Sequence, residues 1–226
     1  MPAEIVRRLD IKVFKTKSRG VALNRNRAAS YATAPYCLCA DNDVIYRAES
    51  LSALIQLFDD MPQADVICCR STFHGKFVKP FPSDKAVSIK HAPKGWYPCG
   101  FEMAYRRESP AGSISFNENF GVGAPIFKAG EEDVWLCDAL NVGARIYIVP
   151  LTICEHDHST TCDRHGAEDW FIMTGGALHS HLHPHTWLLR RLVHALRQKD
   201  MPRFRHFCLS LQGAKLARHL HYFSRS

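Results

Sequence analysis

The sequence lacks any hydrophobic run long enough to span a membrane. It also lacks the apolar centre of a secretory signal, because charged residues recur throughout Met1 to Asp10. These absences argue against an exported or membrane-spanning protein and predict a cytoplasmic location. The chain has 226 residues, of which 46% are hydrophobic, and this is enough for one well-buried globular domain with an appendage.

The cysteine pattern lacks the pairing that a disulfide framework needs. The chain has nine cysteines, an odd number, and Cys68 and Cys69 are adjacent. Thiols also stay reduced in the cytoplasm. We therefore expect reduced, mostly buried cysteine side chains.

Acidic residues are nearly absent from the C-terminal end. Trp187 to Ser226 contain nine Lys or Arg and one acid, Asp200, whereas the rest of the chain has 20 basic and 21 acidic residues. Apolar residues recur at helical spacing, with basic residues between them, over Trp187–Gln198 and Phe204–His221. This pattern predicts two basic amphipathic helices. Such a tail could bind the phosphates of RNA or of lipids.

Predicted strands and helices alternate over the first 150 residues. The predicted strands are Ile11–Phe14, Tyr36–Ala40, Ala64–Cys69 and Arg145–Val149, the last of them ended by Pro150. The predicted helices are Val21–Ala34, Leu51–Phe58 and a segment from Gly130 to near Gly143. This alternation predicts an α/β fold with a parallel or mixed sheet.

Asp41, Asn42 and Asp43 follow a predicted strand and form a DxD motif. Side chains i and i+2 leave an extended segment on the same side, so the two carboxylates can share one hard cation. Open α/β sheets bind ligands at the carboxyl ends of their strands, and a divalent ion there would hold a diphosphate. Taken alone, however, Asp-Asn-Asp favours a plain turn.

Four segments, taken in order, resemble a GT-A glycosyltransferase of the large inverting family 2, the kind that builds bacterial surface polysaccharides. They are Gly20–Asn26, Asp41–Asp43, Phe116–Ala124 and Gly130–Trp135, and the closing strand into His156 also fits. The resemblance covers about Ile11 to Ser159. It implies a GT-A mixed sheet flanked by helices in a domain of residues 1–175. The composition changes beyond about Gly175, which predicts a His-rich linker and basic helical tail at 176–226.

The same resemblance implies that the first nucleotide-binding unit of the GT-A domain is missing. Only forty residues precede the DxD motif, where members of the family have about a hundred. We therefore expect a fold that is truncated at its N-terminus, and a catalytically impaired remnant is one alternative for the protein.

On the donor side, the resemblance gives roles to five residues. Asp41 and Asp43 would hold Mg²⁺ or Mn²⁺ against the diphosphate, with Asp43 the direct ligand, and His156 would reach the metal or the diphosphate. Arg25 and Asn26 would face the donor, and Arg25 would bind its phosphates. Without the resemblance, Arg25 is equally consistent with a solvated helix charge and His156 with a surface histidine.

On the acceptor side, a carboxylate must take the proton of the attacking hydroxyl. Glu132 stands where the family has its base, although an aspartate is usual there, so the base is either Glu132 or Asp133. The resemblance also assigns Glu131 and Trp96 to substrate binding. Acids at a helix start can instead cap the helix, and an aromatic residue such as Trp96 can instead pack in the core.

The resemblance therefore predicts an inverting, metal-dependent transferase that moves a sugar from a nucleotide-diphosphate donor to a glycan or lipid-linked acceptor in cell-surface polysaccharide synthesis. Lipid-linked acceptors would make an anionic membrane surface, rather than nucleic acid, the partner of the basic tail, and would place the protein peripherally on the inner face of the cell membrane. A zinc-binding or regulatory protein is the other alternative. It depends on two groups whose spacing fits structural zinc sites poorly, namely Cys154, His156, His158, Cys162 and His165, and His179, His181, His183 and His185.

Overall fold

The computed structural model of the protein describes residues 11–15, 17, 19–77, 79–81, 83–93, 96–156, 168–199 and 201–219. His158, Cys162 and His165 lie outside the described residues, as does the end of the predicted helix Phe204–His221. No helix within these ranges is long and apolar enough to cross a membrane.

Helices and strands alternate through most of the described chain. The α-helices are α1 (Val21–Tyr31), α2 (Ala48–Asp60), α3 (Glu131–Asn141), α4 (Asp169–Leu182), α5 (Trp187–Leu196) and α6 (Arg203–His219). The strands are β1 (Tyr36–Leu38), β2 (Val44–Tyr46), β3 (Val66–Phe73), β4 (Val87–Ser88), β5 (Met103–Arg106) and β6 (Ile146–His156). Short 3-10 helices span Ile89–His91, Gly100–Glu102 and Pro110–Ser113.

The strands form one mixed sheet in the order β1-β5-β3-β6-β2, with β4 also paired to β6. β3 and β6 run parallel, and the other pairs are antiparallel. His156, the last residue of β6, lies opposite Val44 of β2 and Phe73 of β3. The predicted mixed α/β sheet is confirmed, and the end of β6 lies beside the turn that precedes β2.

The central strand β3 is buried on both faces of the sheet. Val66 packs in a cluster with Trp135 of α3, and Ile67 packs in a second cluster with Phe58 of α2. Successive side chains of a strand point to opposite faces, so a continuous apolar run suits a strand that helices cover on both sides. This packing holds the start of α3 in a fixed place against the sheet.

One predicted strand is absent from the described structure, and another is longer than predicted. Residues 11–14 are irregular and lie outside the sheet. β6 continues through Pro150, where the sequence predicts its end. Proline has no backbone N–H to donate to the hydrogen bonds of a sheet. On β6, however, β4 pairs at Ile148 and β2 pairs at Cys154, so Pro150 lies between the two partner strands. The register against β3 also shifts in this region.

The described cysteines carry free thiols, as predicted, and five of them are buried: Cys39, Cys68, Cys69, Cys99 and Cys154. Burial raises the pKa of Cys39 and of Cys154 to about 12. These thiols are therefore protonated at neutral pH, and a nucleophilic thiolate is not the chemistry that they offer.

The C-terminal helices α4 and α6 pack closely through two glycines. A Cβ on Gly176 would overlap the backbone of Ser210, and a Cβ on Gly213 would overlap the backbone of Met173. Ala177 joins the same helix pair to a core cluster that includes residues of the loop before α3. The C-terminal helices are therefore packed onto the sheet domain.

The boundary predicted between residues 175 and 176 falls inside α4. His179 and His181 are helical rather than part of a linker. A linker was predicted from composition, but the glycines and alanines of this segment allow a helix that packs tightly. The division into two domains itself stays a prediction.

Candidate active site

A cleft of about 2110 Å³ opens where β1 and β6 end and where α1 and α3 begin. Seven of the nine predicted site residues line it: Arg25, Asp41, Asp43, Glu131, Glu132, Asp133 and His156. Strand ends and helix starts bring backbone and side-chain polar groups to one edge of a sheet. Residues that lie more than a hundred positions apart in the chain therefore share one surface.

Arg25 lies at the centre of the cleft and binds two carboxylates. Its Nη1 donates to Glu131 Oε1 at 2.9 Å, and its Nη2 donates to Asp41 Oδ1 at 3.2 Å. The guanidinium also lies 5.4 Å from the centre of the Phe116 ring. A Cβ on Gly100 would overlap the guanidinium, so glycine leaves the space that Arg25 occupies.

Burial and charge act on Arg25 in opposite directions. Burial lowers the pKa of Arg25, but nearby acidic groups, with Glu131 the strongest, outweigh it and raise the pKa above the ordinary value. Its Nε is shielded from solvent and has no hydrogen-bond partner among the described residues. Arg25 is therefore fixed and fully charged, and it joins the DxD turn to the acidic start of α3. Its predicted contact with donor phosphates stays a prediction.

Three consecutive acids begin α3 inside the cleft. The residue before them, Gly130, has a φ of 83°, a left-handed conformation that favours glycine. Burial and the neighbouring Glu131 and Asp133 carboxyls raise the pKa of Glu132 well above its usual value. Burial and Glu131 raise the pKa of Asp133 to about 7. A carboxyl with a pKa near 7, as in Asp133, can accept a proton near neutral pH.

Glu132 also has an unused acceptor. Its Oε2 is shielded from solvent and receives no hydrogen bond from the part of the chain that the structure describes. A buried polar atom without a partner costs stability and is typical of a site that binds a ligand. The role of Glu132 as the base stays a prediction.

Asp43 and His156 meet at the other end of the cleft. Asp43 Oδ2 lies 3.7 Å from His156 Nε2, and the rings of Phe73 and Phe101 pack beside His156 with centroids 5.1 and 5.3 Å away. Asp41, in contrast, is bound to Arg25. The structure thus places Asp43 and His156 together and holds the Asp41 carboxylate between Arg25 and this pair.

No group of three or more His, Cys, Asp or Glu side chains is placed to hold a metal ion in the described ranges. Two residues of the predicted zinc groups have other neighbours: Cys154 Sγ lies 4.0 Å from the Phe101 carbonyl oxygen, and His181 Nε2 lies 3.3 Å from Asp138 Oδ1. The rings of His179 and His183 lie beside each other, with centroids 5.9 Å apart. The Asp43 carboxylate beside His156 suits Mg²⁺ or Mn²⁺, because such an ion commonly takes one or two protein carboxylates and completes its shell with phosphate and water.

Two predicted site residues do not line the cleft. Asn26 holds the loop before α3, because its Nδ2 donates to the Phe116 carbonyl at 2.9 Å and its Oδ1 accepts from Phe116 N at 2.7 Å. Trp96 packs against the core cluster of β3 and α3. Its neighbour Tyr97, 45% exposed, lines the cleft instead. A contact of Asn26 or Trp96 with substrate stays a prediction.

The loop before α3 approaches α1 closely. Val21 N donates to the Val122 carbonyl at 2.9 Å. A Cβ on Gly121, where φ is 100°, would lie 2.6 Å from Val21 Cγ1 and 2.8 Å from Glu131 Oε2. Glycine at this position therefore lets the loop, α1 and the first acid of α3 meet.

A basic segment before α1 also lines the cleft, a contribution that the sequence did not predict. Its residues there are Lys12, Lys15, Lys17 and Arg19, and Lys128 adds a further cation from the loop before α3. Phe14 in this segment stacks on Tyr31 at the end of α1, with ring centroids 3.6 Å apart. The run of basic residues was a usable signal for an anion-binding surface.

A buried ion pair supports one wall of the cleft and was also missed. Glu102, 1% exposed, pairs with Lys79. It also accepts hydrogen bonds from Ser71 Oγ at 2.6 Å and from Cys99 N at 2.9 Å. Because Cys99 and Phe101 line the cleft, these bonds fix that wall. In the sequence, the only sign of this ion pair was Glu102, a single acid in an otherwise apolar segment.

Comparison with known proteins shows a family and a fold. The model of glycosyl transferase family 2 matches residues 2–128, more than half of the chain. No curated protein matches the sequence. The crystal structure of S. aureus TarS 1-349 in complex with UDP-GlcNAc is similar to this chain with a TM-score of 0.59 at 14% identity, over 98% of this chain and 79% of that chain.

A second crystal structure of S. aureus TarS 1-349 has a TM-score of 0.55 at 14% identity, over 94% of this chain and 74% of that chain. At this identity the similarity is one of fold. Together with the family match, it confirms the predicted GT-A fold.

Proposed function

The chain belongs to glycosyl transferase family 2, and from this premise we propose that it moves a sugar from a nucleotide-diphosphate donor to a glycan or lipid-linked acceptor with inversion, in cell-surface polysaccharide synthesis. The observation that carries the proposal is the cleft in which Arg25, the acids of α3, Asp43 and His156 meet. Such a reaction needs a base for the acceptor hydroxyl and positive charge for the departing diphosphate. The cleft offers both.

Glu132 is the proposed base. The acceptor oxygen attacks the anomeric carbon of the sugar from the face opposite the diphosphate, the bond from that carbon to the diphosphate oxygen breaks, and Glu132 takes the hydroxyl proton. Its unpartnered Oε2 suits this step, and its raised pKa makes the ionised carboxylate a stronger base. Asp133, with a pKa of about 7, is the alternative base.

The diphosphate end of the donor is proposed to lie at Asp43 and His156. As a pair, these residues would hold Mg²⁺ or Mn²⁺, which when bound neutralises the diphosphate and stabilises it as a leaving group. Lys12, Lys15 and the other cations of the basic segment would bind phosphate oxygens through charge-assisted hydrogen bonds. Arg25 keeps Asp41 and Glu131 in place between the two ends of the reaction.

Asp43→Ala tests the donor end of the site. Because S. aureus TarS 1-349 was crystallised with UDP-GlcNAc, that nucleotide sugar is the first donor to try. We expect the purified chain to release UDP from it with Mn²⁺, and we expect Asp43→Ala to lower the rate by about 100-fold or more. The exposed acid Glu49 provides a control, since Glu49→Ala should leave the rate unchanged.

Titration calorimetry with UDP-GlcNAc separates binding from turnover. Donor binding without UDP release in the wild type would favour the impaired remnant over an active transferase. Full activity of Asp43→Ala would contradict the proposed metal role.

A further inference from the structure

Helix α5 turns its apolar side toward solvent. Five aliphatic side chains, each between 38% and 64% exposed, form this apolar stripe: Leu188, Leu189, Leu192, Val193 and Leu196. At about 100° per residue they cover roughly 140° of the helix surface. The side that packs on the protein instead carries Arg191 and Ala195, which are 4% and 2% exposed.

Arg191 fixes this orientation of the helix. Its Nε and Nη2 donate to Ser210 Oγ of α6 at 3.0 and 2.8 Å. Its guanidinium also lies beside Gly175 of α4, where a Cβ would be 3.1 Å from Nη1. An arginine is thus buried while five aliphatic side chains stay in water, the reverse of the usual preference. A contiguous exposed apolar surface of this kind is typical of a binding site.

Positive charge surrounds the apolar stripe. Arg190 and Arg197 follow it along one edge, and Lys199 and Arg203 come next in the chain, all four of them exposed. No Asp or Glu occurs in residues 170–199 or 201–219, and Asp200 is the one acid between these ranges. Phe204, 80% exposed at the start of α6, adds a large apolar side chain to the same basic stretch.

We propose that α5 docks on an anionic lipid bilayer, with the apolar stripe in the boundary between headgroups and acyl chains and with Arg190 and Arg197 at the lipid phosphates. Interfacial helices combine an apolar face with basic residues in this way, and their binding strength follows both. A second copy of the chain fits less well, because pairing the stripes would bring the arginine edges together with no acid in those ranges to offset them.

Helix α4 connects the apolar stripe to the cleft. Thr174, Gly175 and Leu178 of α4 line the cleft, and Gly175 also lies beside Arg191. A bilayer under α5 would therefore be one helix away from the candidate active site. The purpose of this docking rests on the proposed function, since it would hold the cleft near a lipid-linked acceptor, but bilayer binding itself requires no donor.

Vesicle sedimentation with the full chain tests the proposal. Vesicles of phosphatidylcholine alone are compared with vesicles that contain about one third phosphatidylglycerol, at low and high salt. We expect binding to the anionic vesicles that falls by at least about tenfold in the Leu189→Ser, Leu192→Ser, Leu196→Ser triple variant and weakens in the Arg190→Gln, Arg197→Gln double variant. Ile55→Ser and Leu140→Ser, at exposed apolar sites away from α5, should bind like the wild type.

Three outcomes would overturn the proposal: unchanged binding by the triple variant, equal binding to both kinds of vesicle, or a dimer in light scattering that the triple variant abolishes. Circular dichroism confirms that each variant is folded. Turnover with a water-soluble acceptor is measured in parallel without vesicles. Normal turnover in a triple variant that no longer binds vesicles supports docking, whereas inactivity of the wild type counts against the proposed transferase and leaves the vesicle result intact.

Discussion

Arg25 in the cleft and Arg191 on the packed side of α5 both have side chains that are largely shielded from solvent, but their partners differ. Arg25 donates to the carboxylates of Glu131 and Asp41, and acidic neighbours raise its pKa in spite of burial. Arg191 donates to the hydroxyl of Ser210, and burial lowers its pKa to about 10. The same residue type is thus stabilised as a cation in one region and destabilised as a cation in the other.

This difference shows two uses of buried charge. In the cleft, opposite charges hold each other in positions that a charged substrate can use, which is the preorganisation that catalysis requires. On the packed side of α5, Arg191 is buried and donates to the Ser210 hydroxyl, and this contact determines which side of the helix faces solvent. The first arrangement serves chemistry, and the second serves the proposed docking surface.

The largest expected effect is at the acidic start of α3. Glu132→Gln should lower transfer by about 1,000-fold, because an amide cannot accept the hydroxyl proton. Asp133→Asn is the matched variant and should lose much less activity. The measurement is kcat for UDP release with acceptor present. A larger loss in Asp133→Asn would move the base to Asp133.

The comparison of the two arginines is tested by one substitution made at both sites. Arg25→Met leaves two carboxylates without their partner, so the free energy of unfolding should fall by about 3 kcal/mol. Arg191→Met replaces a buried charge that has no carboxylate partner in the described structure, so that free energy should change by no more than about 1 kcal/mol. Urea denaturation measures both.

The rate of donor turnover gives a second, independent comparison of the Arg25→Met and Arg191→Met variants. Arg25→Met should reduce it by about 100-fold, because Asp41 and Glu131 lose their fixed positions. Arg191→Met should leave turnover with a soluble acceptor unchanged. Equal losses of stability in the two variants would remove the distinction between the regions.

The smallest expected effect is on the pH dependence of stability, which should have opposite signs in the two regions. Burial raises the pKa of Asp133 to about 7, so its contribution is complete below the pKa of an unfolded aspartate and is lost as pH rises through 7. Burial lowers the pKa of His179 and of His206 to about 4. Their contribution is complete above the ordinary histidine pKa and is lost as pH falls toward 4.

Urea denaturation between pH 5 and pH 8 checks both signs, with each group contributing on the order of 1 kcal/mol. Asp133→Asn should remove part of the loss between pH 5 and pH 7, and His206→Gln should remove part of the loss in acid. Burial lowers the pKa of His181, but Asp138 and Cys137 favour its charged form and raise the pKa to about 9. His181 therefore adds a loss of stability only at higher pH. An Asp133→Asn variant with the wild-type pH profile would contradict the assignment.

Much of the fold and of the candidate site followed from local signals in the sequence. Asp41 and Asp43 follow a strand, the acids of α3 begin a helix, and His156 ends a strand. Each of these positions could therefore be predicted from the local sequence pattern. The sequence did not predict the partners of Arg25, nor that Tyr97 rather than Trp96 lines the cleft. They depend on contacts between segments far apart in the chain, where a shift of one residue turns a side chain from the core to the cleft.

The sequence by itself determined the alternation of strands and helices, the acidic groups of the cleft, and the amphipathic pattern of α5. The tertiary structure alone decided that Arg25 binds Glu131 and Asp41, and that α5 packs on the protein through Arg191 and Ala195 and leaves its leucines in solvent. The physical reason is that periodicity fixes which side chains share a face of an element, whereas burial depends on which neighbour covers that face.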